Sequence, residues 1–140
     1  MNTESARRLL ESSKPDAAGY VCEVGVRRDA AYLNVASEAH PERWAVVWTP
    51  GDRWFSVEID GGFSLDHFEE DMNDSDVAAL VQAYVSIALA YLDIGATLDR
   101  RRSVFPVARV SVESGTVELR RSLATNLRHF VRGLRRGGSM

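Results

Sequence analysis

A chain of 140 residues fits one domain and is long enough to bury a core without staples. With 45% hydrophobic and 26% charged residues it is not composed like a disordered segment, and its one cysteine excludes an internal disulfide. Net charge is −3, but residues 1–99 hold seven Lys/Arg against eighteen Asp/Glu, net −11, and residues 100–140 hold ten Arg against two Glu, net +8. Either two faces of one domain carry opposite charge, or the basic end meets an acidic partner.

The opening MNTESARRLLESSKPD carries no apolar signal core, which suits a cytoplasmic protein. Ala6, Leu9 and Leu10 among charges predict a short amphipathic helix over 4–13, ended by Lys14-Pro15. Tyr20, Cys22, Val24 and Val26 then alternate with polar or small residues. After a turn near Arg28-Asp29-Ala30, Leu33 and Val35 do the same, so the two runs predict a hairpin with Val24, Val26, Leu33 and Val35 on one face. Trp44 to Thr49 is the third predicted strand. Thr49-Pro50-Gly51-Asp52 is a turn signal, Pro setting φ for the second position and Gly allowing positive φ at the third. Trp54 to Asp60 is the fourth strand, with Phe55, Val57 and Ile59 on one face. Gly61-Gly62 turns the chain into Phe63 to Phe68, a fifth strand at the sheet edge.

Asp74 or Ser75 is placed to cap a helix running to about Leu98. Its core stripe is Val77, Leu80, Val81, Tyr84, Val85, Ala88, Tyr91 and Leu92, with Ile87, Leu89 and Ile94 off the stripe. A helix this apolar must be covered on most sides, by the sheet on one and by terminal helices or a second subunit on the other. It is short for a membrane span, and no membrane partner is expected. Val104 to Val112 predicts a strand, Glu113 to Thr116 a turn, and Val117 to Leu119 either a short return strand or the start of the last helix. That helix, over Ser122 to Arg135, is ended by Gly137-Gly138. The expectation is a single α+β domain over 1–140. It has an antiparallel sheet of about five to six strands packed against a long central helix, with N- and C-terminal helices.

This order of elements resembles the α+β fold of type III secretion chaperones and related small bacterial domains. The nearest local likeness is Val104-Phe-Pro-Val-Ala-Arg-Val-Ser-Val-Glu-Ser-Gly-Thr-Val-Glu-Leu119, similar to the strand pair after that fold's central helix. The chain departs from it by an extra strand around Arg53 to Asp60. The resemblance implies a dimeric protein-binding domain and no enzyme. The Trp-rich strands, Gly-Gly turn and acidic loop are also similar to small actinobacterial immunity-type proteins. No site residue is carried over from either.

Chemistry-bearing patterns are few. His40, His67 and His129 lack a partner at zinc-ligand spacing, so neither metal nor cofactor is expected. Asp66-His67 beside Glu69, Glu70 and Asp71 is read as a solvated loop over a cation site. Cys22, on an apolar strand face without an activating base nearby in sequence, is read as structural. No serine sits in a G-x-S-x-G elbow, and Gly61-Gly62 lacks phosphate-loop spacing.

Three surfaces remain as candidates. If the third strand pairs with the fourth, Trp44, Val46 and Trp48 are expected to share a face with Phe55 and Val57. Trp54 then points the other way with Ser56, Glu58 and Asp60, either covered by a terminal helix or serving as a contact anchor. The acidic run Asp66, Glu69, Glu70, Asp71, Asp74 and Asp76 is either solvated helix-terminal acidity or a decoy for a basic partner. Arg120, Arg121, Arg128, Arg132, Arg135 and Arg136 form a solvated face or, on a weaker reading, a nucleic-acid contact; a pI near 5.6 argues against the latter. The leading expectation is a non-enzymatic protein-binding module of chaperone or immunity type, acting as a homodimer. Its protein-binding residues are Trp54, Glu58, Asp60, Asp66, Glu69, Glu70 and Asp71, and its partner a basic toxin or secreted effector. The alternative is a small enzyme or ligand-binding domain with a spatially assembled site.

Overall fold

Asn2 starts the first helix: its side chain accepts the Ser5 backbone N–H at 2.8 Å, satisfying one of the donors a helix start leaves open. In this computed structural model, which describes residues 2–50, 54–68, 73–99 and 106–121, α1 spans Thr3–Ser12 and buries Ala6 and Leu10. β1 (Tyr20–Arg27) and β2 (Ala30–Ser37) follow as a hairpin. Its turn is two residues, Arg28 and Asp29, both at positive φ (51° and 62°), the geometry whose twist matches the flanking strands. Cys22 stands opposite Val35 and Val24 opposite Leu33, on the face that α1 covers.

β3 (Trp44–Thr49), β4 (Trp54–Ile59) and β5 (Phe63–Phe68) complete a five-stranded antiparallel meander in which each strand pairs with its neighbour in sequence. The β3–β4 register differs from the expected one. Ala45 pairs with Ile59, Val47 with Val57, and Trp48 with Ser56, so Trp44, Val46 and Trp48 share a face with Trp54 and Glu58 and lie opposite to Phe55 and Val57. β3 is apolar on both faces, so alternation alone does not choose between them, and a slip of one residue exchanges the faces. Volume decides. Ala45, Val47 and Thr49 are small enough to lie beneath the helices opposite Phe55, Val57 and Ile59, all buried.

The central helix, α2 (Asp74–Ile94), is capped by Asn73, not by Asp74 or Ser75, and the Asn73 side chain accepts the Asp76 N–H at 2.9 Å. It stops at Ile94, short of Leu98, because Gly95 takes φ 88°, ψ −168°. Thr97–Asp99 instead forms β6, which pairs with β7 (Val107–Val112), and β7 pairs with β8 (Gly115–Leu119). Pro106, just ahead of β7, falls where its missing N–H breaks no ladder. Val117–Leu119 is therefore strand. The segments 51–53, 69–72 and 100–105 and the helix expected over Ser122 to Arg135 lie outside the described residues.

The fold is α+β, with a five-stranded antiparallel sheet, helices, and a three-stranded second sheet. α2 packs on β2, β3 and β4 on one side and on β7 on the other. Those contacts account for its buried residues, while Ala79, Ala83 and Ile94 stay exposed. Ile87, off the expected stripe, is buried, whereas Leu80 is only partly so. By length and composition α2 is apolar enough to cross a membrane, a test that core helices also meet. Among the described residues the sheets meet at a two-bond bridge, Ser64 N–H to Arg120 C=O at 2.8 Å and its reciprocal at 2.9 Å. On the small sheet Arg109 spans Asp99 at 3.1 Å and Glu118 at 3.2 Å.

Candidate functional site

Strand alternation sends every second residue of the large sheet away from α1 and α2. Carried across all five strands, the register aligns Glu23, Asn34, Val46, Glu58 and Ser64 in one row and Gly25, Tyr32, Trp48, Ser56 and Asp66 in the next. Trp54 faces Phe68 beyond them, and Trp44 lies at the opposite end, beside Ala36. Among the described residues no helix packs on this face. Trp44 is 42% exposed, Trp54 45% and Phe68 61%, an unusual concentration of bare aromatic surface. The Trp48 and Trp54 rings lie 6.4 Å apart, tilted by 38°.

The face is also shaped. Tyr32 leans over Gly25, where a Cβ would come within 2.6 Å of its hydroxyl, so the glycine admits the ring and lets the hydroxyl reach Glu23 at 3.4 Å. Beside it runs a concavity of about 740 Å³ lined by Glu23, Arg27, Arg28, Ala30, Tyr32, Asn34, Val46, Trp48 and Glu58. The groove is bipolar: Arg27 and Arg28 close it at the hairpin turn, and Glu58 stands at its far wall.

Glu58 is at odds with its surroundings. It is half-buried, and burial first, then the Asp66 charge, push its carboxyl above the ordinary glutamate range. A carboxyl raised in the fold favours the neutral acid. Its contribution to stability is full below the unfolded-chain pKa and lost as pH rises through the folded value. Glu58→Gln is therefore expected to stabilise the fold at pH 7. The gain should be roughly 0.5 kcal/mol, the scale of a cross-strand like-charge contact discounted for solvent screening. It should vanish by about pH 4, where the wild-type carboxyl is itself protonated. Urea unfolding of both proteins at the two pH values measures it; a loss of stability at pH 7 would show that Glu58 is held by favourable contacts.

No family model, curated protein or solved structure matches the chain.

Of the expected site residues, the fold brings Trp54, Glu58 and Asp66 onto the open face and leaves Asp60 off it. Asp60 sits at the end of β4, where its carboxylate accepts the Tyr91 hydroxyl and, at 3.2 Å, the Trp44 N–H. Glu69, Glu70 and Asp71 lie outside the described residues. α1, on the opposite face, does not cover Trp54. Sequence reasoning did not bring Trp48, Tyr32 and Glu23 to this face, since their place depends on register, and it set Ser56 beside Trp54 without giving it a role; the turn residues Arg28-Asp29 were the signal that fixed the first hairpin.

A second cavity, of about 360 Å³, lies at the C-terminal end of α2, lined among others by Arg43, Asp60, Phe63, Tyr91, Gly95 and Arg121. Its polar groups bind one another. Arg43 donates to Leu92 C=O at 3.0 Å, Tyr91 to Asp60, and Arg121 to Gly61 C=O at 2.8 Å while stacking on Phe63. Burial and the Asp60 contact raise the Tyr91 hydroxyl well above the ordinary tyrosine value. These bonds tie helix and sheet together. Cys22 lies on the inner sheet face, its thiol pushed up by burial. Among the described residues no three His, Cys, Asp or Glu side chains converge as metal ligands.

Proposed function

We propose that the chain is a protein-binding module, of secretion-chaperone or immunity type, that engages its partner through the open face of the large sheet. The observation that carries this reading is the gathering of Tyr32, Trp44, Trp48, Trp54 and Phe68 with Glu23, Glu58 and Asp66 on one face to which neither helix contributes. Aromatic side chains bury large areas at low entropic cost and dominate binding hot spots, and the surrounding carboxylates select a partner of complementary charge. For the small-ligand alternative, the polar groups of the cavity at the end of α2 already bind one another, and the larger concavity lies on the open face itself.

The homodimer inferred from the apolar helix is the second part of this reading. β7 contacts α2 beside the large sheet, yet Ala79, Ala83 and Ile94 stay exposed with Ser75, Gln82, Ser86 and Asp93. Light scattering reads the assembly directly.

Affinity capture from the native host, with the partner identified and its affinity measured, tests the reading. Trp48→Ala and Trp54→Ala are each expected to weaken binding about 30-fold, the ~2 kcal/mol of a hot-spot residue. Binding that survives both substitutions would remove the open face as the docking surface.

A further inference from the structure

The open face holds two polar groups whose needs go unmet among the described residues. Glu58, half-buried, makes no hydrogen bond or ion pair there, and its nearest charged influence is another anion, Asp66, diagonally across on β5. Asp66 accepts only a long bond, 3.5 Å, from the Ser64 hydroxyl. Two residues before Glu58 on the same strand, Ser56 is 1% exposed, and its hydroxyl has no hydrogen-bond partner at all. Native folds rarely leave a buried hydroxyl or a half-buried carboxylate in this condition unless something else completes them.

The surroundings specify what would do so. Ser56 lies directly opposite Trp48 on β3 and Asp66 on β5, and Trp54 precedes it on the same face, so the hydroxyl is at the foot of the tilted indole pair. We propose that Trp48, Trp54, Ser56, Glu58 and Asp66 form a receptor slot for a single arginine side chain of the protein partner. This deepens, and rests on, the reading of this face as a protein-docking surface. A guanidinium answers each deficit at once. It brings charge to two carboxylates, N–H donors in a planar fork to Glu58 and, once the indoles move off its closed hydroxyl, to Ser56, and a flat cation to the indole faces. An ammonium is more strongly hydrated and cannot stack, so lysine fits less well. Arg27 and Arg28 at the other end of the groove oppose a polybasic segment. The partner therefore presents one arginine at the Glu58 end, with neutral or acidic residues toward the β1–β2 turn.

The test is a titration of the full chain with N-acetylarginine amide, followed through the indole and backbone N–H resonances. The lysine amide and the uncharged citrulline amide serve as comparison probes. The expected result is saturable shifts at Trp48, Trp54, Ser56 and Glu58 but not at Trp44. Lysine should bind more weakly and citrulline not at all, and Glu58→Gln should lower arginine affinity about tenfold. Citrulline shifts equal to those of arginine, unchanged binding in Glu58→Gln, or shifts centred elsewhere would each overturn the slot. A partner lost on Trp48→Ala but held equally by wild type and Glu58→Gln would overturn the slot and leave the docking face standing. A partner indifferent to the tryptophans would remove the face itself.

Discussion

Phe55→Ala is expected to cost about 3–5 kcal/mol of stability, the range for truncating a buried phenylalanine. Phe55 is 1% exposed, the largest fully buried side chain among the described residues, on the face that α2 covers. Its β4 neighbours on that face, Val57 and Ile59, pack against Val47 and Ala45, so the meander cannot shrink around the void without shifting its register. Domains of this kind are stable by only about 5–15 kcal/mol, so the variant should unfold at much lower urea. A loss under about 1 kcal/mol would mean that the residue does not sit in a close-packed core.

Gly95→Ala is the second large effect, and it acts through the backbone. With φ 88° and ψ −168°, Gly95 occupies a region that L-residues essentially do not enter, a strain of about 1–3 kcal/mol. The new Cβ would also lie 3.2 Å from Arg43 Nη2 and 3.3 Å from its Cζ. Arg43 caps the helix by donating to the Leu92 carbonyl, so its displacement also leaves a helix-terminal acceptor unpaired. Together these predict a loss of about 2–4 kcal/mol by thermal or urea unfolding. Arg43→Ala in the same background tests the coupling. If the guanidinium clash contributes, the two substitutions together cost less than the sum of their separate costs.

The elements that sequence placed well are those whose signals are local. The hairpin over 20–37 has clean alternation and a turn that tolerates positive φ, and its inner face came out as expected. α2 was found by its apolar period, although its end was not. Only Gly95 marks the stop, and a single glycine competes with an apolar pattern that runs on through Ile94. The site was harder to read because it depends on pairing between strands. Trp48 and Trp54 are six residues apart, and whether they meet depends on the parity of a register that the two-sided apolar strand β3 leaves open. Alternation set Ser56 on the Trp54 face, but that its hydroxyl is orphaned is a property of what surrounds it. The small sheet was half seen: Val107–Val112 carries a strand pattern, whereas Thr97–Asp99 is three residues and acquires its form from β7.

Within each strand of the meander, odd and even positions answer to different demands. Phe55, Val57 and Ile59 are fixed by what lies beneath them; Trp54, Ser56 and Glu58, interleaved with them, meet no helix among the described residues. Ser56 is closed over, but substitutions at Trp54 and Glu58 can accumulate without disturbing the first set. A lineage carrying this scaffold is thus free to change the character of that face while keeping its folding instructions intact.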